Sequence, residues 1–494
     1  MTFAAQSSSY TINTNGVSLS TPIIFNGIGS TWTLGSALSS LQFITFTNGT
    51  LDTSSASNYA LTCTYIALGV GTKTLNLNGS TVTLNSNTPI AFSTNSTGFT
   101  FNAGTSSITI TGGNLVFDGN GYTFYNVTLT ATFQLDILGA NTFNNLTLPS
   151  RTGSTVYYTY LHTNQIVNGT FSANVGQITA AYRYYIASDV YGTPRTITAA
   201  AVNLTDVDFR DITGAGTATW SGTRIGNAGG NSGITFTTGR SLYWNAVGGN
   251  WSSNSWATTS SGTPAIANFP LPQDTAYFTN NGVATSGTVT VDSTFNLPAI
   301  NFTSRTNAMT FTMGNAVYAY GSITLASAIT LSGAGTFTFG HRSGTVTLTS
   351  AGKTWTQAIN VSSIGATVQF GDAFTSNNSL GLFYGTLTNT TYNVTLASGF
   401  SSTGGNTSTL NLGSGTWTIT GGPASPWNVA NAGLTINAGT STISWATSVA
   451  RTFAGGGFAY YNLNQGSSFA LTISGSNTFN NITNSVQPTT VTFT

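Results

Sequence analysis

Asp206 and Asp208 lie two residues apart in the run Val202-Asn203-Leu204-Thr205-Asp206-Val207-Asp208-Phe209-Arg210-Asp211-Ile212. Alternation predicts a strand here, and a period of two puts both carboxylates on one face. Such a pair can do one of three things. It can serve as acid and base on a glycosidic bond, hold Ca²⁺ together with Asp211, or pair with Arg183, Arg210 and Arg224. Strand spacing alone does not set the carboxylate separation, so the first two stay open. Ten Asp against nine Arg favour structural pairing.

Tyr243, Trp244, Trp251 and Trp256 form a second constellation. Their rings could offer a flat surface to the apolar side of a pyranose, or meet a neighbouring subunit, while nearby Asn amides take hydroxyls. Equally, clustered tryptophans make a small core beneath a loop-rich stretch. The glycine-rich loop Gly226 to Gly233 has neither a following Lys nor a predicted helix, which argues against nucleotide binding. His162 and His341 are far apart in sequence and have no Cys or carboxylate at ligand spacing, so no zinc site is expected. No Gly-x-Ser-x-Gly elbow with credible partners is present. The expectation is a protein without enzymatic activity and without a cofactor; the low-ranked alternative is a glycoside hydrolase or lyase.

The elements that must carry these residues are strands. Charged residues are 4% of the chain, against about 25% in an ordinary soluble domain, and all ten carboxylates are Asp. Long solvated helices need Glu, Lys and Arg, which are nearly missing. Disorder is disfavoured by 39% hydrophobic and 12% aromatic residues, placed in short alternating runs such as Leu75-Asn76-Leu77 and Leu146-Thr147-Leu148. These runs recur roughly every 20 residues and end in Gly or Asn, as in a β-solenoid. Asn-rich corners such as Phe143-Asn144-Asn145 would either stack amide on amide or simply fill turns.

The chain also rereads itself. Ile28-Gly29-Ser30-Thr31 answers Ile364-Gly365-Ala366-Thr367 at an offset of 336, and Gly98 to Ile108 (GFTFNAGTSSI) answers Gly433 to Ile443 (GLTINAGTSTI) at 335. The 336 offset then returns for Asn141 to Thr147 against Asn477 to Thr483. One register held over about 150 residues means a duplicated array, whose units bury one another's apolar faces. The reading is an all-β, elongated parallel β-helix (β-solenoid) with a Tyr/Trp-rich insertion module. Residues 1–150 form copy 1, 151–322 the insertion and 323–494 copy 2.

Net charge is +1 with no basic stripe, so neither nucleic acid nor an anionic membrane has a footprint. No apolar window is long enough to span a bilayer, and the first residues carry no signal-peptide pattern. The single cysteine, Cys63, rules out an internal disulfide and is expected to be a small buried side chain.

Asp206-Val207-Asp208-Phe209, Thr223-Arg224-Ile225-Gly226, Asn231-Ser232-Gly233-Ile234, Tyr243-Trp244 and Asn250-Trp251-Ser252, with the Asn-Thr-Phe-Asn-Asn corners, resemble repetitive structural and tail-fibre proteins of tailed phages, marine ones in particular. The resemblance implies a virion structural role, fibre or appendage, with no catalytic residues to carry over. The expected partners are other virion or filament subunits, including copies of the same chain, and a host surface polysaccharide. Two alternatives accompany it: a tailspike depolymerase using Asp206 and Asp208, and a cell-surface adhesin or extracellular filament subunit.

Overall fold

Where an apolar residue alternates with a hydroxyl or amide, and almost no charge separates neighbours, each short segment becomes a strand with one greasy and one hydrogen-bonding side. In Leu115–Asp118 the leucine and phenylalanine are buried while the valine and aspartate are half-exposed. The same pattern recurs in Lys73–Asn76 and in Ser408–Asn411. The computed structural model describes residues 1–85, 90–93, 97–151, 156–175, 180–280 and 286–494. Strands make up 53% of the chain, stacked as a parallel β-solenoid of about 21 turns. Among the described residues the only helical element is one 3-10 turn, Ile266–Asn268, and no helix is long and apolar enough to cross a membrane.

Two compact units divide the chain, one built almost wholly of residues 1–237 and the other almost wholly of residues 238–494. The first holds parallel sheets of 14 and 10 strands, and the second holds sheets of 18, 4 and 7 strands. Coil length varies. Leu115 pairs with Leu135 across a short coil, whereas Tyr157 pairs with Tyr184 across a longer one.

Within residues 151–322, strands pair in parallel with the sheets of the flanking segments. Tyr157–Leu161, Tyr184–Ser188 and Val207–Arg210 continue the sheet that holds Gln134–Leu138. Thr275–Tyr277, Ala299–Asn301 and Ile323–Thr324 run on toward the second copy in the same way. The coils are disguised because Tyr158 and Tyr160 occupy half-exposed positions that Thr and Asn hold elsewhere.

The duplication is real at the level of strands. Ile44–Asp52 and Leu380–Thr388 coincide at 336, as do Leu38–Ser40 and Phe374–Ser376, while Phe99–Asn102 and Leu434–Asn437 coincide at 335. Even the irregularities match: the long strand Ile23–Leu34 slips register after Asn26, and its counterpart Ala358–Phe370 slips after Ser362. Beside each slip a glycine is required. At Gly49 (φ +92°) a Cβ would sit 2.5 Å from the Gly27 carbonyl oxygen, and at Gly385 (φ +79°) one would collide with the Ser363 carbonyl.

Leu, Ile, Phe and Trp fill the inside of each unit, with Phe25, Phe46, Leu75, Leu410, Trp417 and Ile443 all fully buried. Each such side chain contributes about 1.5–3 kcal/mol by leaving water. Cys63 belongs to this core, and burial pushes its thiol up to about 12. Outside, amides do stack. Asn102 donates to the Asn76 carbonyl oxygen (2.8 Å) and Asn76 to Asp52 (3.0 Å), while Asn437 donates to Asn411 (2.7 Å) and Asn411 to Thr388 (2.9 Å). These are the same positions in both copies.

Candidate functional site

Only Asp208 of the predicted carboxylate pair sits in a strand. The strand is Val207–Arg210, and Asp206 precedes it with φ +56°. Asp206 and Asp208 therefore do not form a solvent-facing pair. They are 0% and 1% exposed, and all four strand residues are buried. A backbone placed in the left-handed region is tolerated by Asp better than by most residues, and it aims the Asp206 carboxylate at two guanidiniums.

Arg224 grips Asp206 through Nε–H to Oδ1 (2.7 Å) and Nη2–H to Oδ2 (2.6 Å). Arg183, itself 1% exposed, donates from Nε to Asp208 Oδ1 (2.9 Å) and from Nη1 to Asp206 Oδ1 (3.4 Å), and its Nη2 reaches the Arg224 carbonyl (2.9 Å). Asp211, also fully buried with φ +55°, accepts the Gly192 N–H (3.0 Å) and lies 3.3 Å from Arg210 Nε. Hydrogen bonding to Asp206 raises the Arg224 pKa above its ordinary value, against the opposing effect of burial. A substrate or a hydrated cation has no route to these carboxylates, so the structure places Asp206, Asp208 and Asp211 in a buried ion network. Among the described residues no group of three or more His, Cys, Asp or Glu side chains is arranged to hold a metal ion.

The tryptophans are core as well. Trp244, Trp251 and Trp256 are at most 1% exposed. Trp251 and Trp256 meet edge to face at 4.7 Å, Trp244 and Trp256 at 5.2 Å, and Phe278 packs against all three. The Trp256 indole N–H donates to the Trp251 carbonyl (3.0 Å) and that of Trp244 to the Ala246 carbonyl (2.8 Å). No flat face is left for a sugar. Tyr243 alone of the four remains half-exposed, stacked on Tyr277 at 5.1 Å.

Acid–base groups do meet at the surface, at a place the linear sequence concealed. In the first unit His162 Nε2 lies 3.0 Å from Asp136 Oδ1, and Nδ1 lies 3.3 Å from Asp189 Oδ2. Gln134 donates to Asp136 (2.7 Å) and Arg195 to Asp189 (2.7 Å). Asp136, His162 and Asp189 follow one another on three successive coils. Their nearly even spacing was the available signal, but only a known coil length could have decoded it.

His341 is the other histidine, 4% exposed in the second unit. Its Nε2 faces the Thr367 carbonyl (3.0 Å) and its Nδ1 faces Ser363 Oγ (3.0 Å). A carbonyl only accepts, so Nε2 carries the proton and Nδ1 is the acceptor. Ser363 is fully buried, which removes it as a nucleophile. Burial lowers the His341 pKa to about 4, and the bonds to Thr367 and Gly344 only partly oppose this.

No protein family profile matches this chain, and no curated protein or solved structure is significantly similar to it.

Proposed function

We propose that this chain is a structural, non-catalytic β-solenoid subunit of a virion fibre or a comparable appendage, assembling with other subunits including copies of itself. One observation carries the non-catalytic part: each of the ten Asp side chains is engaged in an ion pair, a turn or an amide ladder. Asp52 joins the Asn76 ladder, Asp372 accepts the Ser350 and Ala351 N–H groups, Asp292 holds Ser252 and Asp274 holds Arg240. Asp118 caps a turn at Asn120, Asp136 and Asp189 flank His162, and Asp206, Asp208 and Asp211 form the buried network. The virion setting is supported by the resemblance of the Asn-Thr-Phe-Asn-Asn corners and the Trp-containing segment to phage tail-fibre proteins.

A chain built this way holds its shape through parallel ladders and uses almost no charge, which suits a part whose work is mechanical. Two measurements test the reading. Purified protein incubated with surface polysaccharide should release no new reducing ends; release abolished in Asp208→Asn, with folding intact, would establish the depolymerase alternative instead. Antibodies against the chain should decorate an appendage on purified virions, and decoration of a cell surface in the absence of virus would favour the adhesin.

A further inference from the structure

Two phenol rings lie face to face on the outside of the second unit. Ser241–Trp244 turns Leu242 and Trp244 inward and Tyr243 outward, and Thr275–Tyr277 turns Ala276 inward and Tyr277 outward. The two strands are parallel neighbours, and their register sets Tyr243 directly against Tyr277. Neighbouring strands lie about 4.8 Å apart, and the rings keep close to that separation: their centroids are 5.1 Å apart and their planes 19° from parallel. Both residues are half-exposed, and neither hydroxyl hydrogen-bonds to any described residue.

Stacking by itself needs no hydroxyl. In the first unit Phe43 and Tyr65 stack in the same way, 5.1 Å apart with planes at 18°, beside the paired residues Ile44 and Ile66. Two phenols in this position have a chemistry that a phenylalanine and a tyrosine lack. Loss of one electron and one proton turns a tyrosine into a phenoxyl radical, whose unpaired electron is shared with the ring carbons ortho to oxygen, and two such radicals in contact couple there. Tyr158 and Tyr160 also stack, at 5.9 Å, but they lie on one strand. A bond between them would join residues the backbone already holds together, whereas a bond between Tyr243 and Tyr277 joins neighbouring coils. A disulfide is not open to the chain, whose one cysteine, Cys63, is free and buried.

We propose that Tyr243 and Tyr277 form an oxidative cross-linking site, joined as dityrosine by a one-electron oxidant of the haem peroxidase class acting with hydrogen peroxide. Each phenol gives up one electron and its hydroxyl proton. One carbon–carbon bond then forms between ortho positions, and the two ortho C–H protons move to the oxygens as the rings regain aromaticity. Hydrogen peroxide takes up the two electrons and two protons and leaves as two waters. The product ties one coil to the next and constrains the unfolded chain, as a disulfide would. The site does not depend on the appendage reading, since the same stacked pair is present in any setting that supplies the oxidant.

The test treats the full chain, at high dilution, with a haem peroxidase and hydrogen peroxide. The product should be a monomer with the blue fluorescence of dityrosine. Its proteolytic digest should contain the peptides of Tyr243 and Tyr277 joined, lighter than their sum by two hydrogen atoms. Tyr243→Phe and Tyr277→Phe keep the stack and should each abolish that species, with circular dichroism confirming the fold. Tyr65, facing Phe43, is the internal control and should stay unlinked. The second unit of the linked protein should unfold about 5–10 °C above that of the untreated protein, and treated Tyr277→Phe should show no such rise. A digest without the joined peptides, links found only between chains, Tyr65 linked as fully as Tyr243, or an unchanged unfolding temperature in the linked protein overturns the proposal. None of these results bears on virion decoration, so this site and the appendage reading fail separately.

Discussion

Acidification should loosen the second unit through His341. The neutral ring sits in a pocket that leaves it 4% exposed, and burial lowers its pKa to about 4 from the ordinary 6.5. Between those values the unfolded chain binds a proton that the folded chain refuses, so stability falls as pH falls. Above about pH 6.5 both states are neutral and the effect vanishes. Below about pH 4 the folded form protonates too, and this group causes no further loss. The window spans roughly 2.5 pH units at about 1.4 kcal/mol each, a total of about 3 kcal/mol. Hydrogen bonding is not the main cost: Ser363 can accept from a protonated Nδ1 while donating to the Phe339 carbonyl at 3.2 Å. The cost is the desolvated charge.

His341→Gln keeps a donor for Thr367 and an acceptor for Ser363 but cannot titrate, which makes it the reference. Urea denaturation of both proteins at pH 7, 6, 5 and 4 should show the wild type losing about 3 kcal/mol more than the variant over that range. In thermal unfolding the extra loss corresponds to roughly 6–12 °C. Because solenoid units can unfold in parts, hydrogen exchange around residues 339–367 should register the loss directly. Parallel pH curves for wild type and variant would refute the reasoning.

Two further predictions concern the residues whose chemistry drew attention first. Asp206→Asn should destabilise the first unit by about 3–5 kcal/mol, because Arg224 and Arg183 lose their shared anion in a buried setting; adding Arg224→Met should restore part of the loss, and a shift of the denaturation midpoint measures both. Trp256→Ala should cost about 3–5 kcal/mol by opening a cavity against Trp251, Trp244 and Phe278. A variant that kept full stability and lost only glycan binding would contradict the buried position of this indole.

The β class was legible because charge scarcity and alternation are local properties. Ten carboxylates without a Glu cannot surface helices, and Leu-Thr-Leu or Phe-Thr-Phe segments have one buried side whatever follows them. The duplication was legible for the same reason: segments that match in sequence at a steady offset, such as Gly98 to Ile108 and Gly433 to Ile443, adopt matching strands. Local patterns also anticipated the buried thiol of Cys63, whereas stacking at corners such as Asn144-Asn145 was one of two open readings, and there both amides donate to Asn126.

Tertiary structure alone decided the chemistry. Asp206 left its predicted strand because a left-handed turn brings it to Arg224, a partner remote in sequence. The Tyr/Trp-rich stretch joined the coils because a half-exposed strand position accepts Tyr as readily as Thr, and the indoles turned inward where Phe278 could cover them. His162 met Asp136 and Asp189 only because the coils before and after it are nearly equal in length. Which side of a strand is greasy is written in neighbouring residues. What lies above it depends on how many residues each corner absorbs, a sum over the whole coil that no short stretch of sequence contains.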